Sequence, residues 1–106
     1  MARATMRRRV STITRELRRA ILTRDGACLL SKIEPDHACR DLWGNPHAPT
    51  DLDRLTLEHV KDASMMGRRA PSDAAHLVAL CAAANFGVPS KSQRDAFRSY
   101  LRAITA

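Results

Sequence analysis

Two short apolar runs with a polar connection between them dominate the pattern of this chain. Leu55-Thr56-Leu57-Glu58-His59-Val60 alternates apolar and polar positions, the period of a half-buried strand, and ends on a carboxylate and an imidazole. A polar loop, Lys61 to Ala75, holds Met65, Met66, Gly67, Arg68, Arg69 and Pro71. His76 and the unbroken apolar run Leu77-Val78-Ala79-Leu80 then predict the returning strand of a hairpin. Cys81 and an alanine-rich turn follow, with Asn85 nine residues after His76.

The period changes on either side of this hairpin. From about Ser11 to Arg24, Val10, Ile13, Leu17, Ala20 and Ile21 recur at helical intervals, with Arg15, Arg18 and Arg19 between them. Ser11 or Thr12 can cap that helix and Gly26 can end it. Its arginine face either solvates an ordinary amphipathic helix or meets phosphates. Cys28-Leu29-Leu30-Ser31 follows the Arg24-Asp25-Gly26 turn, and residues 32–54 read as a long loop, rich in Pro, Asp, Gly and His, that needs an anchor. Trp43, in that loop, is expected to pack over the small core rather than stack on a base. After Gly87-Val88-Pro89 breaks the chain, Ser90 and Gln93 have the spacing of a capping box. The final helix sets Ala96, Phe97, Tyr100, Leu101 and Ile104 on one side. Arg94, Arg98 and Arg102 form a row on another, which is either a DNA-facing stripe or a solvated face.

At 106 residues the chain suits one domain, divided as a basic arm at 1–10 and a folded unit at 11–106. Its formal charge of +7 is unevenly spread, with a net +7 over residues 1–24, −4 over 25–59 and +4 over 60–106. A basic arm, an acidic middle and a basic tail suit a protein that holds a polyanion while keeping carboxylates for a cation. Three cysteines, an odd number, do not make a disulfide framework and favour a reducing compartment. No segment approaches the ~18 apolar residues of a membrane span. An intracellular, cytoplasmic location is the expectation.

Glu58-His59, then His76, then Asn85, with Leu80-Cys81 between the last two, resembles the HNH endonucleases, the ββα-metal nuclease family. The upstream Arg24-Asp25-Gly26-Ala27-Cys28 is similar to a stretch common in that family, so the resemblance spans roughly residues 20–93. The basic, Gly-Arg-containing loop and the small size resemble the free-standing nucleases encoded by phages of actinobacteria. The fold it implies is α+β, a small ββα-metal hairpin-helix core with flanking N-terminal and C-terminal helices, the hairpin and metal site lying at about 55–93.

The resemblance implies a role for each matched position. Glu58 and Asn85 would ligate a divalent cation, Mg²⁺ or alternatively Mn²⁺. His59 would be the general base toward the attacking water. His76 would be structural, bonded to loop backbone and holding His59 in its pose. Arg68 and Arg69 in the loop, with Arg94 and Arg98 on the last helix, would contact DNA. The implied partner is DNA, with the phage terminase an analogy from the family. The alternative reading is a catalytically inactive DNA-binding or phage packaging-accessory protein.

Many relatives fasten this unit with a zinc ion on two Cys-x-x-Cys pairs. Here each pair has lost its second cysteine, to Ser31 and to Ala84. Cys28, Cys39 and Cys81 are therefore read as small buried hydrophobes. The alternative is a structural zinc on these three thiolates, completed by His37 or His47.

Overall fold

The computed structural model describes residues 12–61 and 69–105, a mixed α+β unit. Its elements in order are α1 (Arg15–Asp25), α2 (Leu29–Ile33), a 3₁₀ turn (Leu52–Arg54), β1 (Leu55–His59), β2 (Leu77–Cys81), α3 (Ala82–Phe86) and α4 (Lys91–Thr105). The two strands pair antiparallel from Leu55↔Cys81 to His59↔Leu77. Val60 extends the ladder by donating its amide to the His76 carbonyl at 2.8 Å. The basic arm at 1–10 and Arg68 lie outside the described residues.

Helix α1 starts at Thr14, whose hydroxyl accepts the Leu17 amide at 3.1 Å, so neither Ser11 nor Thr12 is the cap. Gly26 ends it with φ +72°, a left-handed conformation that a side chain would strain. The helix buries Ile21, Leu22 and Asp25, while Ala20, expected on the buried stripe, is exposed. Cys28-Leu29-Leu30-Ser31 belongs to α2, a helix too short for periodicity to reveal. The alanine-rich turn after Cys81 is likewise helical.

Strand β2 is buried along its whole length, whereas β1 is buried only at Leu55 and becomes exposed at His59. β2 therefore forms the middle of the core, its Val78 and Leu80 clustered with Leu22, Leu29, Leu30, Phe97 and Leu101. The capping box is present, with the Ser90 amide 2.9 Å from Gln93 Oε1 and the Gln93 amide 3.2 Å from Ser90 Oγ. Phe97 and Leu101 bury the apolar side of α4, and Ile104 beyond them is exposed. Between α3 and α4, Gly87 passes so close to Ala83 that an added Cβ would meet its carbonyl oxygen at 2.6 Å.

Residues 34–51 carry little regular structure, as expected, but are tightly held. The Asp41 carboxylate accepts the amides of Trp43 and Asn45, each at 2.9 Å, and Arg54 at 2.8 Å. Desolvation, the largest single influence, raises the carboxyl of Asp41, but the Asn45 and Trp43 amides and Arg54 together outweigh it and hold that carboxyl below the usual carboxylate range. This turn carries Trp43 outward, 82% exposed, so the indole does not pack on the core. The loop sits against the molecule through backbone bonds, Cys28 to Pro49 at 2.9 Å and Ala83 to Arg40 at 3.1 Å.

Two candidate sites, one of oxygen donors and one of sulfur donors

The hairpin and α3 bring Glu58, His59 and Asn85 to one cavity of about 510 Å³, shared with Lys61, Arg94 and Arg98. Glu58 and His59 stand there because β1 ends there. Asn85 reaches it from the fourth residue of α3, rather than from the start of that helix. Its Nδ2 donates to Thr56 Oγ1 at 2.9 Å and to the Leu57 carbonyl at 3.3 Å. Thr56 in turn donates to the Leu80 carbonyl at 2.8 Å, so both strands orient the carboxamide. With Nδ2 committed to β1, the oxygen Oδ1 is the atom left to act as donor to a ligand.

Burial raises the affinity of Glu58 for a proton, with the His59 amide and the charge of Arg94 working the other way. A carboxylate desolvated to this degree gains from a nearby cation. His59 is exposed, and its Nε2 lies 2.9 Å from Ser72 Oγ. A neighbouring cavity of about 660 Å³ shares Glu58, His59 and Lys61 and adds Arg69 and Ser72. Ser72 carried no signal in the sequence, since it stands 13 residues from His59 with no motif spacing to link them.

His76 lines a different cavity, of about 210 Å³, with Lys61, Arg98 and Arg102. Its Nδ1 is 2.7 Å from Asp73 Oδ1, and its carbonyl holds Val60 at the end of β1. The arginines differ as well. Arg98 donates to Asp95 at 2.6 Å and to the Lys61 carbonyl at 2.5 Å, and Arg102 to Ser99 Oγ at 3.2 Å.

A second group forms behind the hairpin. Cys28, His37, Cys39 and Cys81 come together with one potential ligand atom each, all within 4.8 Å of one another. Cys28 precedes α2, His37 and Cys39 lie in the long loop, and Cys81 ends β2 at the N-terminus of α3. The three cysteines are free and buried. Burial pushes the thiols of Cys28 and Cys39 up, and for Cys39 the neighbouring sulfurs add to it. His47 stands outside the group, with Nδ1 2.8 Å from the Ala48 carbonyl.

No protein-family model, no curated protein and no solved structure matches the chain. Among the described residues no helix is long and apolar enough to cross a membrane.

Proposed function

We propose that this chain is a metal-dependent DNA endonuclease of the HNH type. The observation that carries the reading is the meeting of Glu58, His59 and Asn85 in one cavity edged by Lys61, Arg94 and Arg98. A carboxylate and a carboxamide oxygen are hard donors, and they fit Mg²⁺, with Mn²⁺ as the alternative. Bound there, such an ion would supply charge neutralisation at the scissile phosphate and its leaving oxygen.

The chain's own residues account for the remaining steps. Glu58 and Asn85 are the residues that would hold the cation. His59, exposed beside them, takes a proton from the attacking water, with Ser72 orienting its Nε2. His76 is a positioning residue, its ring held by Asp73 where its main-chain carbonyl accepts the Val60 amide at the end of β1. Arg94 and Arg69 meet the phosphate backbone. Arg98, already held by Asp95 and the Lys61 carbonyl, contributes mainly field.

The test is incubation of the full chain with supercoiled plasmid in Mg²⁺, Mn²⁺ or EDTA, with His59→Ala alongside. Metal-dependent conversion to open-circular or linear DNA, lost in His59→Ala, is the expected result. Salt-sensitive binding without cutting in either metal would instead favour the DNA-binding or packaging-accessory reading. Cutting that survives in His59→Ala would refute the assignment of the base.

A further inference from the structure

We propose that Cys28, His37, Cys39 and Cys81 hold one structural zinc ion through three thiolates and one imidazole. The paired-cysteine arrangement that the family resemblance implies does not fit this chain, since Ser31 and Ala84 occupy two of its four positions. The donors that replace them come from the long loop.

Geometry carries the assignment. In a tetrahedral zinc site with Zn–S near 2.3 Å and Zn–N near 2.0 Å, two sulfurs stand about 3.8 Å apart and a sulfur and a nitrogen about 3.5 Å apart. His37 Nε2 is 3.2 Å from Cys81 Sγ, close to such an edge. All four donor atoms lie within 4.8 Å of one another, so closing the set needs movements of about 1 Å or less. Three sulfurs with one imidazole select a soft or borderline ion rather than Mg²⁺. No two of these cysteines are paired as a disulfide.

Two further observations fit thiolates at these positions. The Cys81 amide points at Cys28 Sγ at 3.3 Å, and the Ala84 amide at Cys81 Sγ at 3.4 Å. Amides aimed at sulfur orient ligands and balance their charge in metal–thiolate sites. The second observation is the loop itself. Residues 34–51 are ordered around His37 and Cys39 with little apolar burial of their own, and Cys39 is the one residue between 34 and 51 that joins the core. An ion at this point ties that loop to α2 and to the β2–α3 junction. Because Cys81 caps α3, the same ion sets the helix that carries Asn85.

The test uses metal content and spectroscopy, which do not depend on nuclease activity. The full chain, purified and dialysed against metal-free buffer, is expected to retain one zinc per chain. Replacement by Co²⁺ should give the intense visible bands of a tetrahedral, thiolate-rich site. His37→Cys should keep the stoichiometry and shift the cobalt spectrum toward four sulfurs. His37→Ala should weaken zinc by more than about 100-fold, beyond the roughly 10–100-fold that loss of a mere outer partner costs. His47→Ala should leave stoichiometry and spectrum unchanged. Sub-stoichiometric zinc in the wild-type chain, with no cobalt spectrum, would overturn the proposal. A cobalt spectrum unmoved by His37→Cys would overturn the ligand set. Should His37→Ala fail to fold, the wild-type cobalt spectrum and the His37→Cys shift still decide between these outcomes.

Discussion

The Tyr100 hydroxyl donates to Asp25 Oδ1 at 2.5 Å, closing the last helix onto the final residue of the first. Asp25 is fully buried, and its charge is met from several sides. Arg24 approaches Oδ1 through Nε at 2.7 Å and Oδ2 through a terminal nitrogen at 3.2 Å, while the Ala79 amide donates to Oδ2 at 2.9 Å. Arg24 also donates to the carbonyls of Ala74 and Leu77, each at 2.6 Å, on either side of His76. One carboxylate thus organises α1, β2 and α4 together. Asp25→Ala leaves Arg24 and a buried amide without their acceptor and should cost about 3–5 kcal/mol. Tyr100→Phe removes one bond to a charged group and should cost about 1.5–3 kcal/mol. Urea denaturation of both variants checks the order; equal losses would mean that the carboxylate is not the hub.

The same contact predicts a high-pH transition. Burial, and then the adjacent Asp25, push Tyr100 up to about 12 from an ordinary value of 10.0. A phenol whose folded pKa is raised binds its proton more tightly in the native state. Its contribution is complete below about pH 10 and is lost as pH rises toward 12. Tyr100 is the one tyrosine of the chain, so tyrosinate absorbance reports it alone. The native protein should titrate well above the urea-unfolded chain, and a shared midpoint would sink the prediction.

Much of this architecture was legible because its cause is local. Alternation placed β1, the apolar run placed β2, and Ser90 with Gln93 marked the start of α4 to the residue. What escaped depends on tertiary position. Five-residue helices such as α2 and α3 are too short for periodicity, and packing on β2 decides them. Trp43 was expected inside because aromatics usually are, but the Asp41 turn fixes the backbone so that the indole faces solvent. Asp25 looked like a turn residue, and nothing in its neighbours announces a buried hub. The gathering of His37 rather than His47 with the cysteines rests on the fold of an aperiodic loop, where sequence spacing carries little information.

Val88 should prove a site of stored strain. It holds φ +60°, where a β-branched residue is disfavoured by roughly 1–2 kcal/mol, and it is 72% exposed, so little packing offsets the strain. Val88→Gly should therefore stabilise the fold by about 1 kcal/mol, less the extra entropy that glycine brings to the unfolded chain. Thermal melts of this variant beside Val88→Ala give the sign. A lower Tm for the glycine variant than for wild type would contradict the strain argument.

If the cavity receives DNA, the arginines around it should separate by their existing partners. Arg94 is exposed at the rim and Arg69 lines the adjoining cavity, whereas Arg98 is held by Asp95 and the Lys61 carbonyl. Each of Arg94→Ala and Arg69→Ala should lower the slope of log affinity against log salt by about 1, the signature of one lost phosphate contact. Arg98→Ala should change that slope less and lower stability more. Affinity measured over a salt series, together with melting curves, tests both halves.

His59 and Ser72 give the sharpest prediction about chemistry. His59 is exposed at the end of β1, and its Nε2 meets the Ser72 hydroxyl at 2.9 Å, so neither side chain contributes to the core. If the chain is the nuclease proposed, His59→Ala should lower the rate of strand cleavage by about 10²–10⁴-fold, the range of a lost general base, with Tm nearly unchanged. Ser72→Ala leaves the imidazole in place but free to rotate, and should lower the rate by roughly tenfold without moving DNA affinity. His76→Ala should act in the opposite way, lowering Tm through loss of the ring's contact with Asp73 while the main-chain bond to Val60 stays, with the residual rate of the folded fraction less affected. Single-turnover cleavage, scored beside binding and melting for all three variants, separates the roles. A rate loss in His76→Ala as large as that in His59→Ala, at unchanged stability, would reassign the base.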